Sequence, residues 1–231
     1  MEKLISKEML SQFVKDGDTL LVGGFGLSGT PLTLIDELAV SGKKDLTIVS
    51  NSLGEAGKGL GKLLFTDSLK KIVGSYFTSN PDVVRIGKQI NLEVELIPQG
   101  TMAEAIRCGG AGIAGFYTKT GVGTLLTEGK EERIFNGETY ILQEAIRGDV
   151  ALIKAFKADK LGNLIYDHTA RNFNPAMATA AESVIAEVDE IVEVGELRPE
   201  EITTPHLYVD YVVLNEYKKI GGRYVEPAKS H

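Results

Sequence analysis

Thr19-Leu20-Leu21-Val22-Gly23-Gly24-Phe25-Gly26-Leu27-Ser28-Gly29-Thr30-Pro31 is the stretch on which the fold turns. Its short apolar run, Thr19 to Val22, stopped by paired glycines, has the length and bounds of a buried strand. Thr30 followed by Pro31 fits a helix start, with Thr30 as N-cap and proline at the first helical position, where its missing N–H is not needed. Strand, glycine-rich turn and helix make the first half of a βα unit.

The alternation continues outward from there. Segments 46–50, 71–77, 93–97, 150–153, 191–194 and 208–213 read as strands. Segments 7–14, 31–40, 101–107 and 175–182 read as helices, with Thr101 and Glu104 fitting a reciprocal capping box. Strands alternating with helices imply an α/β fold: a mostly parallel sheet with helices on both faces. Residues 109–149 depart from this rhythm. There, Asn136-Gly137 between two apolar runs predicts a β-hairpin, a small antiparallel insertion inside a single domain spanning 1–231.

The chain has 231 residues, 43% of them hydrophobic, enough for one sizeable core. Its net charge of -7 with scattered basic residues argues against nucleic acid as a partner. The single cysteine, Cys108, allows no internal disulfide and fits a reducing, cytoplasmic setting. Neither a signal-peptide core nor an apolar run long enough to span a bilayer is present, so no membrane role is expected.

Gly24-Phe25-Gly26-Leu27-Ser28-Gly29 matches G-x-G-x-x-G, the dinucleotide-binding fingerprint, in which a pyrophosphate rests on a helix N-terminus. That motif also needs an acidic residue near the end of the second strand. Here the strand ends in Ser50-Asn51-Ser52, and the nearest acid is Glu55. An NAD-dependent dehydrogenase is therefore a weak alternative. A tight turn with no ligand is another. A non-catalytic ligand-sensing α/β domain is a third, although such a protein would normally bring a DNA-binding segment, and none is visible.

More of the chain carries a pattern. Asp16-Gly17, Leu20-Leu21-Val22, Gly23-Gly24-Phe25 and Gly29-Thr30-Pro31 resemble, with their spacing, the first signature of the family I coenzyme A transferases, at every fixed position. Ile97-Pro98-Gln99-Gly100-Thr101, Arg107-Cys108-Gly109-Gly110-Ala111-Gly112, Thr120-Gly121-Val122-Gly123-Thr124 and Ala170-Arg171-Asn172-Phe173-Asn174-Pro175 are similar to that family as well. The nearest branch is the α subunits that act on 3-oxoacids or on acetate and acetoacetate.

That resemblance implies coenzyme A as the substrate thioester, no metal, and exchange of CoA between short carboxylic acids through a glutamyl-CoA thioester. The family's nucleophile lies in a Ser-Glu-Asn-Gly motif of a β subunit. No Glu-Asn-Gly occurs here, so the glutamate is expected on a partner chain, in an α2β2 assembly. By the same resemblance Gln99, Asn51 and Ser52 are the expected catalytic hydrogen-bond donors. Relatives often carry Asn-Asn at 51–52, so Ser52 departs from the pattern. Gly23, Gly24, Phe25, Gly26, Leu27, Ser28 and Gly29 are expected to line the acyl and thioester channel.

Each has a plainer reading from the residues alone. Gln99 caps a strand end, Asn51 is a turn residue, Glu104 is a helix cap, and Asn172 and Asn174 hold a loop. Arg171 pairs with a ligand anion or, by preference, with a core acid. Cys108 is a small buried residue, and His168, His206 and His231 form no metal or triad set.

Overall fold

The run at 19–22 becomes the central strand of the molecule. The computed structural model describes residues 3–220 and 223–226. Its strands are β1 (Thr19–Val22), β2 (Leu46–Val49), β3 (Leu69–Gly74), β4 (Glu93–Leu96), β5 (Gly115–Thr118), β6 (Glu132–Phe135), β7 (Glu138–Glu144), β8 (Gly148–Asp159), β9 (Leu164–Ile165), β10 (Ala181–Val192), β11 (Tyr211–Leu214), β12 (Lys218–Ile220) and β13 (Arg223–Val225). Its helices are α1 (Leu10–Phe13), α2 (Leu32–Val40), α3 (Asp82–Gly87), α4 (Gln99–Gly110) and α5 (Asn174–Thr179).

The main sheet has the order β11-β10-β8-β1-β2-β3-β4, parallel throughout, with β9 added antiparallel to β8. The chain winds outward from β1 to β4 and then returns to the other side of β1 through β8. The strand order therefore reverses between β1 and β8, and in open α/β sheets a crevice forms beyond the carboxyl ends of the strands at such a point. Alternate residues face opposite layers: Leu20 and Val22 pack on one face, Leu21 on the other. The first layer takes Leu34, Ile35 and Leu38 of α2; the second takes Met102 and Ile106 of α4 and Met177 of α5.

The insertion is a three-stranded antiparallel sheet, β5-β7-β6. Asn136 (φ 51) and Gly137 (φ 79) form its tight turn, the left-handed pair that a two-residue hairpin requires.

Several boundaries differ from the sequence expectation. The strand expected at 191–194 is only the end of a twelve-residue strand, β10, and the helix expected at 175–182 stops at Thr179 to let that strand begin. The strands expected at 71–77 and 208–213 run at Leu69–Gly74 and Tyr211–Leu214. Helix α4 starts at Gln99 with Pro98 as its N-cap, so Thr101 lies inside it, and Glu104 pairs with Arg107 at 2.7 Å instead of capping. Pro31, not Thr30, is the N-cap of α2.

The obscured strand, β10, carries an acid in its middle. Glu187 is wholly buried and lies directly across from Lys154 of β8. Its Oε2 accepts the Leu34 N–H at 3.1 Å in the first turn of α2, while Oε1 faces Lys154 Nζ at 3.4 Å without hydrogen-bond geometry. Burial pushes this carboxyl up; the Lys154 charge and the Leu34 N–H pull against it. Lys154 Nζ also reaches Asp189 Oδ1 at 2.5 Å, and Asn215 links Asp189 to Thr33 of α2 (2.6 and 3.1 Å).

Lys154→Met should strand this carboxylate and cost about 3–5 kcal/mol in urea unfolding, the usual scale for breaking a buried pair on one side. The double change Lys154→Met, Glu187→Gln should recover much of that loss, because the wholly buried charge is gone and Asp189, partly exposed, keeps its bond from Asn215.

Candidate active site

The loop 23–29 lies at the carboxyl end of β1, where the strand order reverses. Gly23 N–H extends the ladder to Leu152 O at 3.0 Å. Phe25 and Ser28 exchange backbone hydrogen bonds of 3.0 and 3.1 Å, making a tight turn with Gly26 (φ 60) at its first corner. The Thr30 hydroxyl, expected as a helix cap, instead donates to Gly26 O at 3.1 Å. Phe25 projects from the tip, 54% exposed. Among the described residues the N–H groups of Gly26, Leu27 and Gly29 have no acceptor.

Under the loop lie two asparagine side chains from the segment entering α5. Asn172 Oδ1 accepts Gly24 N–H at 3.1 Å, and its Nδ2 donates to Ser28 O at 3.0 Å. Asn174 is fully buried; its Nδ2 donates to Gly29 O at 3.0 Å, and its Oδ1 accepts Lys154 N–H of β8 at 2.8 Å. This close fit explains Gly23 and Gly29. A Cβ at Gly23 would lie 1.8 Å from Asn174 Oδ1, and one at Gly29 (φ 65) would lie 2.1 Å from Ala170 O. Asn172 itself stands at φ 23, ψ -120, outside the ordinary basins and worth about 1–3 kcal/mol of strain. The plain reading of both asparagines, that they hold a loop, identifies the loop as this one.

The dinucleotide alternative fails here on geometry. A pyrophosphate would need the N-terminus of α2, and the Glu187 carboxylate already accepts Leu34 N–H there. The motif's glycines answer to protein neighbours and backbone shape: Gly24 makes room for the Thr30 side chain, Gly26 takes a left-handed φ of 60, and Gly29 makes room for Ala170 O and the Asn172 amide.

The ends of β2, β3 and β4 carry a second group. Asn51 is buried; its backbone O accepts the Ser75 and Tyr76 N–H groups at 3.1 Å each. Its Oδ1 accepts Ser75 Oγ at 2.8 Å and Gln99 Nε2 at 3.1 Å. Gln99, the exposed first residue of α4, is thus held by a side chain that is itself anchored. Both Asn51 and Gln99 keep N–H groups with no acceptor among the described residues, and Ser52, which follows Asn51 in sequence, is buried. Ser75 was not foreseen. The sequence reading placed it inside a strand at 71–77, whereas β3 ends at Gly74 and leaves Ser75 beyond the strand end, facing Asn51.

A crevice of about 1070 Å³ opens beside the loop, lined among others by Leu27, Ser28, Gly29, Glu55, Lys62 and Tyr217. Asn51, Ser52 and Gln99 do not line it. On its wall, burial works against the Lys62 charge, but bonds from Lys62 to Asp36, Glu226 and Tyr217 prevail and raise its pKa.

The remaining candidates resolve simply. Arg171 is exposed and, among the described residues, has no acidic partner, so the core-acid pairing preferred for it is not found. His168 is bonded to Asp167 at 2.5 Å. Among the described residues no cluster of His, Cys, Asp and Glu could hold a metal ion, and no helix is long and apolar enough to cross a membrane. Cys108 is buried, and burial pushes its thiol up, with Glu104 adding to the effect. Its alkylation by iodoacetamide at pH 7.5 should be slow in the folded chain and rapid in urea; fast labelling of the folded chain would restore Cys108 as a reactive group.

Known proteins share both the sequence and the fold. The family model described as Coenzyme A transferase matches residues 3–215. One chain of the succinyl-CoA:3-ketoacid coenzyme A transferase of Helicobacter pylori strain J99, its A subunit, is 53% identical over 205 residues, 88% of each chain. The alpha subunit of the acetate CoA-transferase of Escherichia coli K12 is 42% identical over 217 residues, 94% of this chain and 99% of that one. The crystal structure of an acyl-CoA transferase apoenzyme from E. coli O157:H7 superposes with a TM-score of 0.86 at 21% identity. It covers 97% of this chain, which spans about half (49%) of that longer one.

Proposed function

The chain belongs to the coenzyme A transferase family, and from that premise we propose that it is the non-nucleophilic α subunit of an enzyme that moves CoA from an acyl-CoA to a short-chain carboxylic or 3-oxo acid such as acetoacetate. The relatives are named as A or alpha subunits, which supports a partner chain. We take the whole chain, 1–231, as one domain, working in the cytoplasm and forming α2β2 with a β subunit.

The chemistry assigned to the pair runs in balanced steps. A glutamate carboxylate of the partner attacks the thioester carbonyl and expels CoA thiolate, leaving an acyl-glutamyl anhydride. The thiolate attacks the glutamyl carbonyl and releases the first acid as carboxylate. The glutamyl-CoA so formed is attacked by the second acid, and the thiolate then takes the new acyl group, freeing the glutamate. Covalent catalysis of this kind divides one difficult exchange into easier ones.

Every step puts negative charge on a carbonyl oxygen, and this chain's part is to receive it. Neutral, prepositioned N–H donors suit the task because they stabilise charge without titrating. The observation that carries the proposal is the Gln99 Nε2–Asn51 Oδ1 bond of 3.1 Å, with Asn51 locked by Ser75 behind it. Gln99 and Asn51 are held as donors before any substrate arrives; Ser52 adds a hydroxyl. Residues 23–29 give the thioester channel its wall, with Phe25 as the apolar part and Gly26, Leu27 and Gly29 supplying unspent amides.

In the complex with the partner, Gln99→Ala should lower kcat by roughly 10²-fold, the scale for losing one such donor, with the KM for acyl-CoA little changed. An unchanged kcat would return Gln99 to its plainer, structural role at the strand end. After incubation with acyl-CoA, borohydride reduction should mark a glutamate of the partner alone. A stoichiometric mark on this chain, or exchange by this chain without a partner, would overturn its place as the non-nucleophilic half.

A further inference from the structure

We propose that Asn172 and Asn174 are positioning residues for the reaction, clasping the 23–29 loop to β8 in the one shape that presents its tip and free amides to the substrate; this rests on the transferase function proposed above.

The bonds are distributed in a way that local folding does not require. Asn172 joins the two arms of the turn, accepting from Gly24 N–H and donating to Ser28 O. Asn174 joins the end of the turn to the sheet, donating to Gly29 O while accepting from Lys154 N–H of β8. Both amides also donate to Ala170 O, at 3.1 and 3.0 Å, which ties them to each other. Positions 24, 28 and 29 are thereby fixed from below, and Phe25, Gly26 and Leu27 are left as the presented tip.

The clasp also decides which amides remain for a ligand. Gly23 and Gly24 spend their N–H groups on Leu152 O and Asn172 Oδ1, and Phe25 and Ser28 spend theirs on each other. Only further along the turn do unspent donors occur. A side chain that fixes their direction acts on the reaction without touching the reacting atoms. The conformation of Asn172 points the same way: at φ 23, ψ -120 it is one that glycine adopts with less strain. A glycine would serve the backbone better, so the side chain is what the position requires.

The test uses Asn172→Gly in the complex with the partner, with Asn172→Asp as a second variant that keeps the acceptor for Gly24 and loses the donor to Ser28. Asn172→Gly relieves the backbone, so its Tm should stay within a few degrees of the parent. Its kcat should fall on the order of 10²-fold, as for a small displacement of positioned groups, with KM for acyl-CoA changed by less than about threefold. Amide hydrogen exchange over 23–29 should quicken in the same variant, read by mass spectrometry. Parental kcat in either folded variant overturns the clasp, and so does a lower kcat with parental exchange over the loop. If the parent complex itself exchanges no CoA, the transferase proposal falls, while the exchange rates still report whether Asn172 orders the loop.

Discussion

A carboxylate with no access to water sits beneath the first turn of α2, and much of the molecule is arranged around its needs. Glu187 is acceptable there because three things converge on it: the cross-strand Lys154, the free N–H of Leu34 and the positive end of a helix. Each also fixes geometry. Lys154 sets the register of β8 against β10, Leu34 sets where α2 lands on the sheet, and Lys154 N–H is the group that Asn174 accepts from. The helix after the glycine loop and the strand beside it are thus tied to one buried charge, and the loop between them inherits its place.

The same letters, G-x-G-x-x-G, serve here for a reason unrelated to phosphate. In a dinucleotide fold the glycines let a pyrophosphate approach a helix end. Here the helix end is occupied by protein, and of the motif's glycines Gly24 makes room for the Thr30 side chain and Gly29 for the Ala170 carbonyl. A spacing of small residues records that something comes close; what comes close depends on residues far away in the chain.

That distinction also explains what could be read in advance. β1 was legible because a short apolar run, Leu20-Leu21-Val22, ends at a glycine pair, and the hairpin because Asn136-Gly137 has few other uses. The length of β10 was not, since Glu182, Glu187, Asp189 and Glu190 disguise a strand whose central acid is compensated by a lysine on another strand. The capping assignments of Thr30, Thr101 and Glu104 failed because the helices begin at other residues, with Pro31 and Pro98 as N-caps, and Thr30 and Glu104 bond to Gly26 O and Arg107 instead. Gln99 and Asn51 were named by resemblance, and the structure brings them into contact. Ser75, and the meeting of Gly24 with Asn172 across 148 residues, have no local pattern.

The placement of β1 at the middle of the sheet has a consequence for synthesis. β1 to β4 can assemble in the order in which they are made, but the other flank of β1 closes only when β8 arrives. Thr19 N–H, for example, waits for Asp149, 130 residues later. At about 5–20 residues per second a ribosome needs on the order of 10 s for that interval. For that time Leu20, Leu21 and Val22 form an open, apolar sheet edge, the kind that recruits other strands. A nascent chain of this kind is most in need of a chaperone just before its second half emerges, and a pause in translation upstream of residue 148 would lengthen its period of risk.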